Sequence, residues 1–193
     1  MNLTIPHQES YSRGELLLRT FFGWLYIGIP HGIVLAILGV VSAIITFIAF
    51  FAILFTGKYP QGMFDFQVNV LAWSMRVTAR TTNLVDGYPP FAMEAPDDPV
   101  QLTVDYPETL SRGLLLLKVF FGWLYVAIPH GIILILRFIA VYIIFIIAFF
   151  AVLFTGNYPE GMHKFVVDTY RWQTRVNLYM NLMTDEYPPF SGE

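Results

Sequence analysis

His31 and His130 occupy the same place in two copies of one motif, Ile-Pro-His-Gly, each inside a long apolar run. An imidazole titrates near neutral pH and ligates metals through either ring nitrogen. Two of them brought together would suit a metal, a haem or a proton. The plainer role is for each to satisfy backbone groups freed where a proline interrupts a helix. Neither histidine has an Asp or Glu near it in the sequence and the chain has no cysteine, so both are expected to be polar turn residues. His7 and His163 have no histidine counterpart in the other copy, which weakens any larger histidine cluster.

The arginines are the next candidates. Arg137 stands where the first copy has Leu38, alone among apolar residues. A charge near a helix centre costs about 2.5–3.5 kcal/mol on membrane-insertion scales. It is expected either to snorkel to an interface or to contact a lipid phosphate or an acidic group of a partner subunit. Arg76 and Arg175 follow Trp73 and Trp172 by three residues in both copies, a spacing suited to anionic head groups or a partner surface. Gly39 and Ala43 of the first copy correspond to Phe138 and Tyr142 of the second. Small against large suggests direct packing of two long helices there, which Gly39→Leu would disrupt. There is no Ser-His-Asp arrangement, HExxH motif, phosphate-binding glycine loop or carboxylate within the apolar runs. No catalysis, metal or cofactor is therefore expected, and a net charge of −3 gives no sign of nucleic-acid binding.

The elements that must position these residues occur twice, at an offset of 99 residues. Phe-Phe-Gly-Trp-Leu-Tyr begins at Phe21 and Phe120, and each apolar run closes in Leu-Phe-Thr-Gly at Gly57 and Gly156. Apolar residues make up 56 % of the chain and charged residues 13 %, against about 45–50 % apolar in soluble domains, which points to a membrane protein. Residues 1–15 are polar, with Glu9 and Glu15, so no secretory leader is expected there. From Thr20 to Phe55 no side chain is charged. One helix of that length would reach about 54 Å, against roughly 30 Å of bilayer hydrocarbon. The run is therefore expected to fold back at Pro30-His31-Gly32 as a transmembrane hairpin over about 13–56, and its twin over about 112–155. A rival reading lays the first helix in the interface. Residues 61–85 and 160–184 read as amphipathic helices on the membrane surface or against the hairpin. Phe66, Val70, Trp73 and Val77 mark one side of the first, and Asp65, Asn69 and Arg76 the other. Residues 1–91 form the first repeat, 92–100 a proline-rich acidic linker and 101–193 the second repeat.

The fold class expected is thus all-α integral membrane, with two tandem hairpin-plus-amphipathic-helix units. The hairpins leave Arg13, Arg19, Lys58, Arg76, Arg80, Arg112, Lys118, Lys164, Arg171 and Arg175 on one face, which the positive-inside rule makes cytoplasmic. Both halves then have the same orientation, as a parallel repeat about an axis along the membrane normal.

Val104-Asp105-Tyr106-Pro107-Glu108-Thr109-Leu110-Ser111-Arg112, Ala127-Ile128-Pro129-His130, the Leu-Phe-Thr-Gly-Asn-Tyr-Pro-Glu-Gly run at 153–161 and Tyr-Pro-Pro-Phe at 187–190 together resemble the bacterial membrane family catalogued as domain of unknown function 4389. The first half matches through its own Ile-Pro-His, Leu-Phe-Thr-Gly-Lys-Tyr-Pro and Tyr-Pro-Pro-Phe (88–91), but Ile5-Pro6-His7-Gln8-Glu9 replaces its opening. The resemblance implies a bacterial membrane protein and carries no activity to transfer; with the hairpin reading, the expected location is the inner membrane, crossed more than once. The function expected is a non-catalytic accessory or structural subunit of a larger membrane complex. The alternative is a lipid-binding, membrane-organising homo-oligomer, and a small transporter is a weaker third. Partners would be membrane lipids and either other membrane-protein subunits or further copies of the chain.

Overall fold

The computed structural model describes residues 1–192. In chain order it runs β1 (Asn2–Thr4), α1 (Arg13–Thr56), α2 (Gln61–Thr81), β2 (Gln101–Thr103), α3 (Arg112–Thr155) and α4 (Glu160–Met180). It is mostly helical, in two repeat-like halves.

The long helices begin and end as local chemistry requires. Ser12 and Ser111 are extended and their hydroxyls accept from the amides of Glu15 and Leu114, capping α1 and α3. Gly57 and Gly156 take left-handed φ of 73° and 79°, stopping each helix with an amide bonded four residues back. Tyr59-Pro60 and Tyr158-Pro159 then redirect the chain into α2 and α4.

The hairpins expected from Pro30 and Pro129 are not formed. Each long helix is continuous over 44 residues, about 66 Å at 1.5 Å per residue. The five residues before each proline-containing turn, Trp24–Gly28 and Trp123–Ala127, widen into a single π-turn. Ile29 and Ile128 donate five residues back, to Trp24 and Trp123. A π-turn opens the helix just where a proline ring would strike the carbonyl four residues earlier, so the proline is absorbed rather than turned.

α2 lies antiparallel along α1. Gln67 reaches the Ser42 carbonyl at 2.8 Å and Thr46 at 3.0 Å near its start, and Asn83 just beyond its end meets Arg19 at 3.0 Å. α4 returns along α3 in the same way. The long helices of the two halves run antiparallel to each other. The amide of Tyr11 donates to Gly156 at 2.8 Å and that of Leu110 to Gly57 at 2.7 Å. Arg13 reaches the Phe154 carbonyl and Arg112 that of Phe55. The start of each long helix thus sits beside the end of the other. β1 and β2 pair antiparallel with Leu3 opposite Leu102. Their side chains are buried, while Asn2, Thr4 and Thr103 are exposed. The core lies between this sheet, α2, α4 and the inward faces of the long helices, around Leu3, Leu102, Met75, Val166, Val167 and Tyr170.

Candidate functional site

Each proline leaves one carbonyl without its helical partner, because residue 30 or 129 has no N–H to give to Tyr26 or Tyr125. The Tyr-Pro-Pro-Phe segment supplies the substitute. The Tyr88 hydroxyl donates to the Tyr26 carbonyl at 3.1 Å, and the Tyr187 hydroxyl to that of Tyr125 at 3.0 Å. The stiff Pro-Pro step then brings Phe91 and Phe190 flat onto the histidines, with ring centroids 3.8 and 4.0 Å apart. From the other side Trp73 and Trp172 each donate an indole N–H to histidine Nδ1, at 2.9 Å in both repeats. The result is two matching cages: His31 with Trp73, Tyr88 and Phe91, and His130 with Trp172, Tyr187 and Phe190. Both imidazoles are fully buried.

The tryptophan bond decides the tautomer. Nδ1 accepts, so a neutral ring carries its proton on Nε2. In the second repeat Nε2 donates to the Tyr187 oxygen at 3.1 Å, which completes a relay from indole through imidazole and phenol to the Tyr125 carbonyl. In the first repeat Nε2 of His31 is buried and has no partner among the described residues. An imidazolium at either position cannot accept the indole proton, so charging the ring breaks the cage. This chemistry holds a helix distortion in place. Each cage is built wholly from its own repeat, and the described residues include no group of three or more potential metal ligands.

His31 and His130 were expected at turns. They sit instead in the interior of continuous helices, facing α2 and α4. Trp73 and Trp172 are not lipid contacts, because their indoles are buried against the histidines. Arg76 and Arg175 do not reach for head groups either. Arg76 is buried and donates to the carbonyls of Ala92 and Met93, at 2.5 and 3.1 Å, while Arg175 donates to Ser191 at 3.2 Å. Burial pulls the Arg76 guanidinium below its usual value, Asp98 opposes this, and Arg80 adds to it. The arginines pin the segment after each Tyr-Pro-Pro-Phe to the helix, a contact that helical spacing cannot reveal.

Arg137 neither snorkels nor presents itself to lipid. It turns inward, donating to the Thr169 hydroxyl at 3.0 Å and the Phe165 carbonyl at 3.3 Å, with its guanidinium 4.3 Å from the Phe165 ring centroid. Its position lies on the buried stripe of α3, so α4 satisfies it. Gly39 and Ala43 do not pack on Phe138 and Tyr142. A Cβ on Gly39 would meet nothing within 4 Å, and Tyr142 is 68 % exposed. Phe138 packs on Tyr170 instead.

His7 and His163, which have no histidine counterparts in the other repeat, meet each other. Their ring centroids lie 5.1 Å apart, edge to face, and His7 Nε2 donates to the Tyr158 carbonyl at 2.7 Å. In the other repeat Tyr106 makes the equivalent bond to the Tyr59 carbonyl and packs on Phe64. At the 99-residue offset Tyr106 and Phe64 stand where His7 and His163 do, so the same contact is made by different residues in the two repeats. Burial, helped by repulsion from His7 and Arg171, pushes the His163 imidazole down to about 4, with a backbone contact at Leu84 opposing.

The family described as Domain of unknown function (DUF4389) matches residues 16–93 and again residues 116–192. The chain belongs to this family and carries it as two tandem copies. No curated protein and no solved structure matches it.

Proposed function

We propose that this two-copy member of the DUF4389 family is a non-catalytic membrane protein that acts as a surface, binding and organising lipid in a bacterial inner membrane. One observation carries the reading. Every exposed large apolar residue lies on the two long helices, except Tyr88, Phe91, Tyr187 and Phe190 beside the histidine cages. Water-soluble monomers rarely expose apolar patches beyond a few hundred Å², and here the patch runs the length of two 44-residue helices that are long and apolar enough to cross a membrane. The polar groups that chemistry would need are committed to structure: Arg19 to Asp86 and Glu15, Arg80 to Asp98, Lys118 to Asp185.

The accessory-subunit reading has a separate support. Away from the long helices the exposed acids Glu9, Asp65, Glu94, Asp97, Asp105, Glu108, Glu160 and Glu186 greatly outnumber exposed cations, a one-signed surface suited to a basic partner chain. Native mass spectrometry of the protein, extracted from its own membrane in mild detergent, separates the two. Lipid-bearing monomers or homo-oligomers are expected. Other chains at constant stoichiometry would replace the lipid-organising reading with the subunit one.

A further inference from the structure

We infer that the two long helices lie flat in one leaflet of the bilayer and do not cross it. This rests on the membrane reading above and names the partner surface as a single lipid leaflet. Residues 99 apart meet each other at two places: Leu3 faces Leu102 in the sheet, and the Thr174 hydroxyl reaches the Met75 sulfur at 3.8 Å. A pseudo-two-fold axis therefore runs through the middle of the sheet and between α2 and α4. The same axis relates the antiparallel α1 and α3, so it stands perpendicular to both long helices.

This geometry makes the two orientations mutually exclusive and unequal in cost. If α1 and α3 crossed a bilayer, the axis would lie in the membrane plane and the sheet would sit at mid-depth. Exposed Asn2, Thr4 and Thr103 would then face hydrocarbon, together with the strand-edge backbone groups other than the Leu3 carbonyl, which accepts from Arg171. Unsatisfied backbone groups there cost several kcal/mol each, which is why open sheet edges do not occur in lipid-exposed positions. If the axis lies along the membrane normal, the sheet is lifted into water above α2 and α4, and only the outward faces of the long helices meet lipid.

Length and charge agree. The uncharged stretch of α1 is about 54 Å long, nearly twice the hydrocarbon thickness, and would have to tilt steeply to span. Lying flat, it needs no tilt. Of the four exposed cations, Arg13, Lys58 and Arg112 sit at the ends of the long helices, and the fourth is Lys164 on α4. Cations at the ends of an apolar face are placed to meet anionic head groups. Trp24 and Trp123 on the long helices are 65 % and 57 % exposed, and tryptophan favours the membrane interface.

The chain has no cysteine, so single cysteines test the orientation cleanly. Ser10→Cys marks one end of the long-helix pair, Lys58→Cys the other end and Thr103→Cys the sheet; all three positions are exposed. The full chain is expressed in cells, and sealed vesicles of both orientations are treated with a membrane-impermeant maleimide. The expected result is that all three cysteines label in one vesicle orientation and none in the other. Crossing helices would label Ser10→Cys and Lys58→Cys in opposite orientations and Thr103→Cys in neither, overturning the inference while leaving the membrane reading intact. Labelling of all three in both orientations, with the protein released by alkaline carbonate, would overturn the membrane reading itself.

Discussion

The Tyr187 hydroxyl is the busiest atom in either histidine cage, because it accepts from His130 and donates to the carbonyl that Pro129 orphans. Tyr88 makes only the carbonyl bond. Removing one partner of a hydrogen bond costs about 1 kcal/mol, and more where a buried group is left unpaired. Tyr187→Phe is therefore expected to lower unfolding stability by about 1–2 kcal/mol and Tyr88→Phe by less, read from unfolding midpoints in one detergent. Equal, negligible losses would show that the hydroxyls contribute nothing. His163 gives a pH dependence with a definite sign. Its folded pKa of about 4 lies below the ordinary 6.5, so the unfolded chain binds the extra proton first. Stability should be full above about pH 6.5, fall as pH drops toward 4, and level off below. Two and a half pH units correspond to at most about 3 kcal/mol. His163→Phe, which copies Phe64 of the first repeat, should flatten that slope between pH 7 and pH 4.5. At this scale the sequence showed which residues recur but not what they touch. Trp73 and Arg76 read as surface groups because their partners, His31 and the 92–93 carbonyls, lie far off in sequence.

The long helices show how a strong local signal is overruled by a distant one. Proline in a helix interior ordinarily costs about 3 kcal/mol and ends or kinks the helix, and that cost justified reading a hairpin. The π-turn removes the ring clash, and a tyrosine 62 residues away replaces the missing hydrogen bond. Helix ends were legible, since Ser12, Ser111, Gly57 and Gly156 act within a few residues of themselves. The compensation at Pro30 was not, because it depends on tertiary contact. The two effects should be coupled. In Pro30→Ala the new amide can serve the Tyr26 carbonyl, so Tyr88→Phe should cost measurably less in that background than in the natural chain. A double-mutant cycle on unfolding stability reads the difference, and strict additivity would show that the hydroxyl does not stand in for the proline's missing donor. Circular dichroism should show unchanged helix content in Pro30→Ala, since the helix is already continuous.

Across the whole molecule the repeats are matched in their cages, caps and strand pairing but differ at mid-helix. That difference was visible in the sequence as Gly39 and Ala43 against Phe138 and Tyr142. Its meaning was not, because a repeat gives no hint of whether its long helices run parallel or antiparallel. The antiparallel arrangement places the four positions apart. Phe138 fills its side by packing on Tyr170, whereas Gly39 borders a cavity of about 260 Å³ with Leu35, Ser42, Gln67 and Asn177. The same substitution logic therefore runs in opposite directions in the two halves. Gly39→Leu replaces a helix-weakening residue at a point where the added carbon meets no neighbour; propensity alone favours it by nearly 1 kcal/mol. It should leave stability unchanged or raise it, contrary to the disruption that direct helix packing would produce. Phe138→Ala should cost somewhat less than the about 3–5 kcal/mol of a fully buried phenylalanine, because the ring is only partly buried. A Gly39→Leu variant that loses more than about 1 kcal/mol would mean that the two long helices do close over this cavity, and would return the pair to the direct packing that small-against-large first suggested.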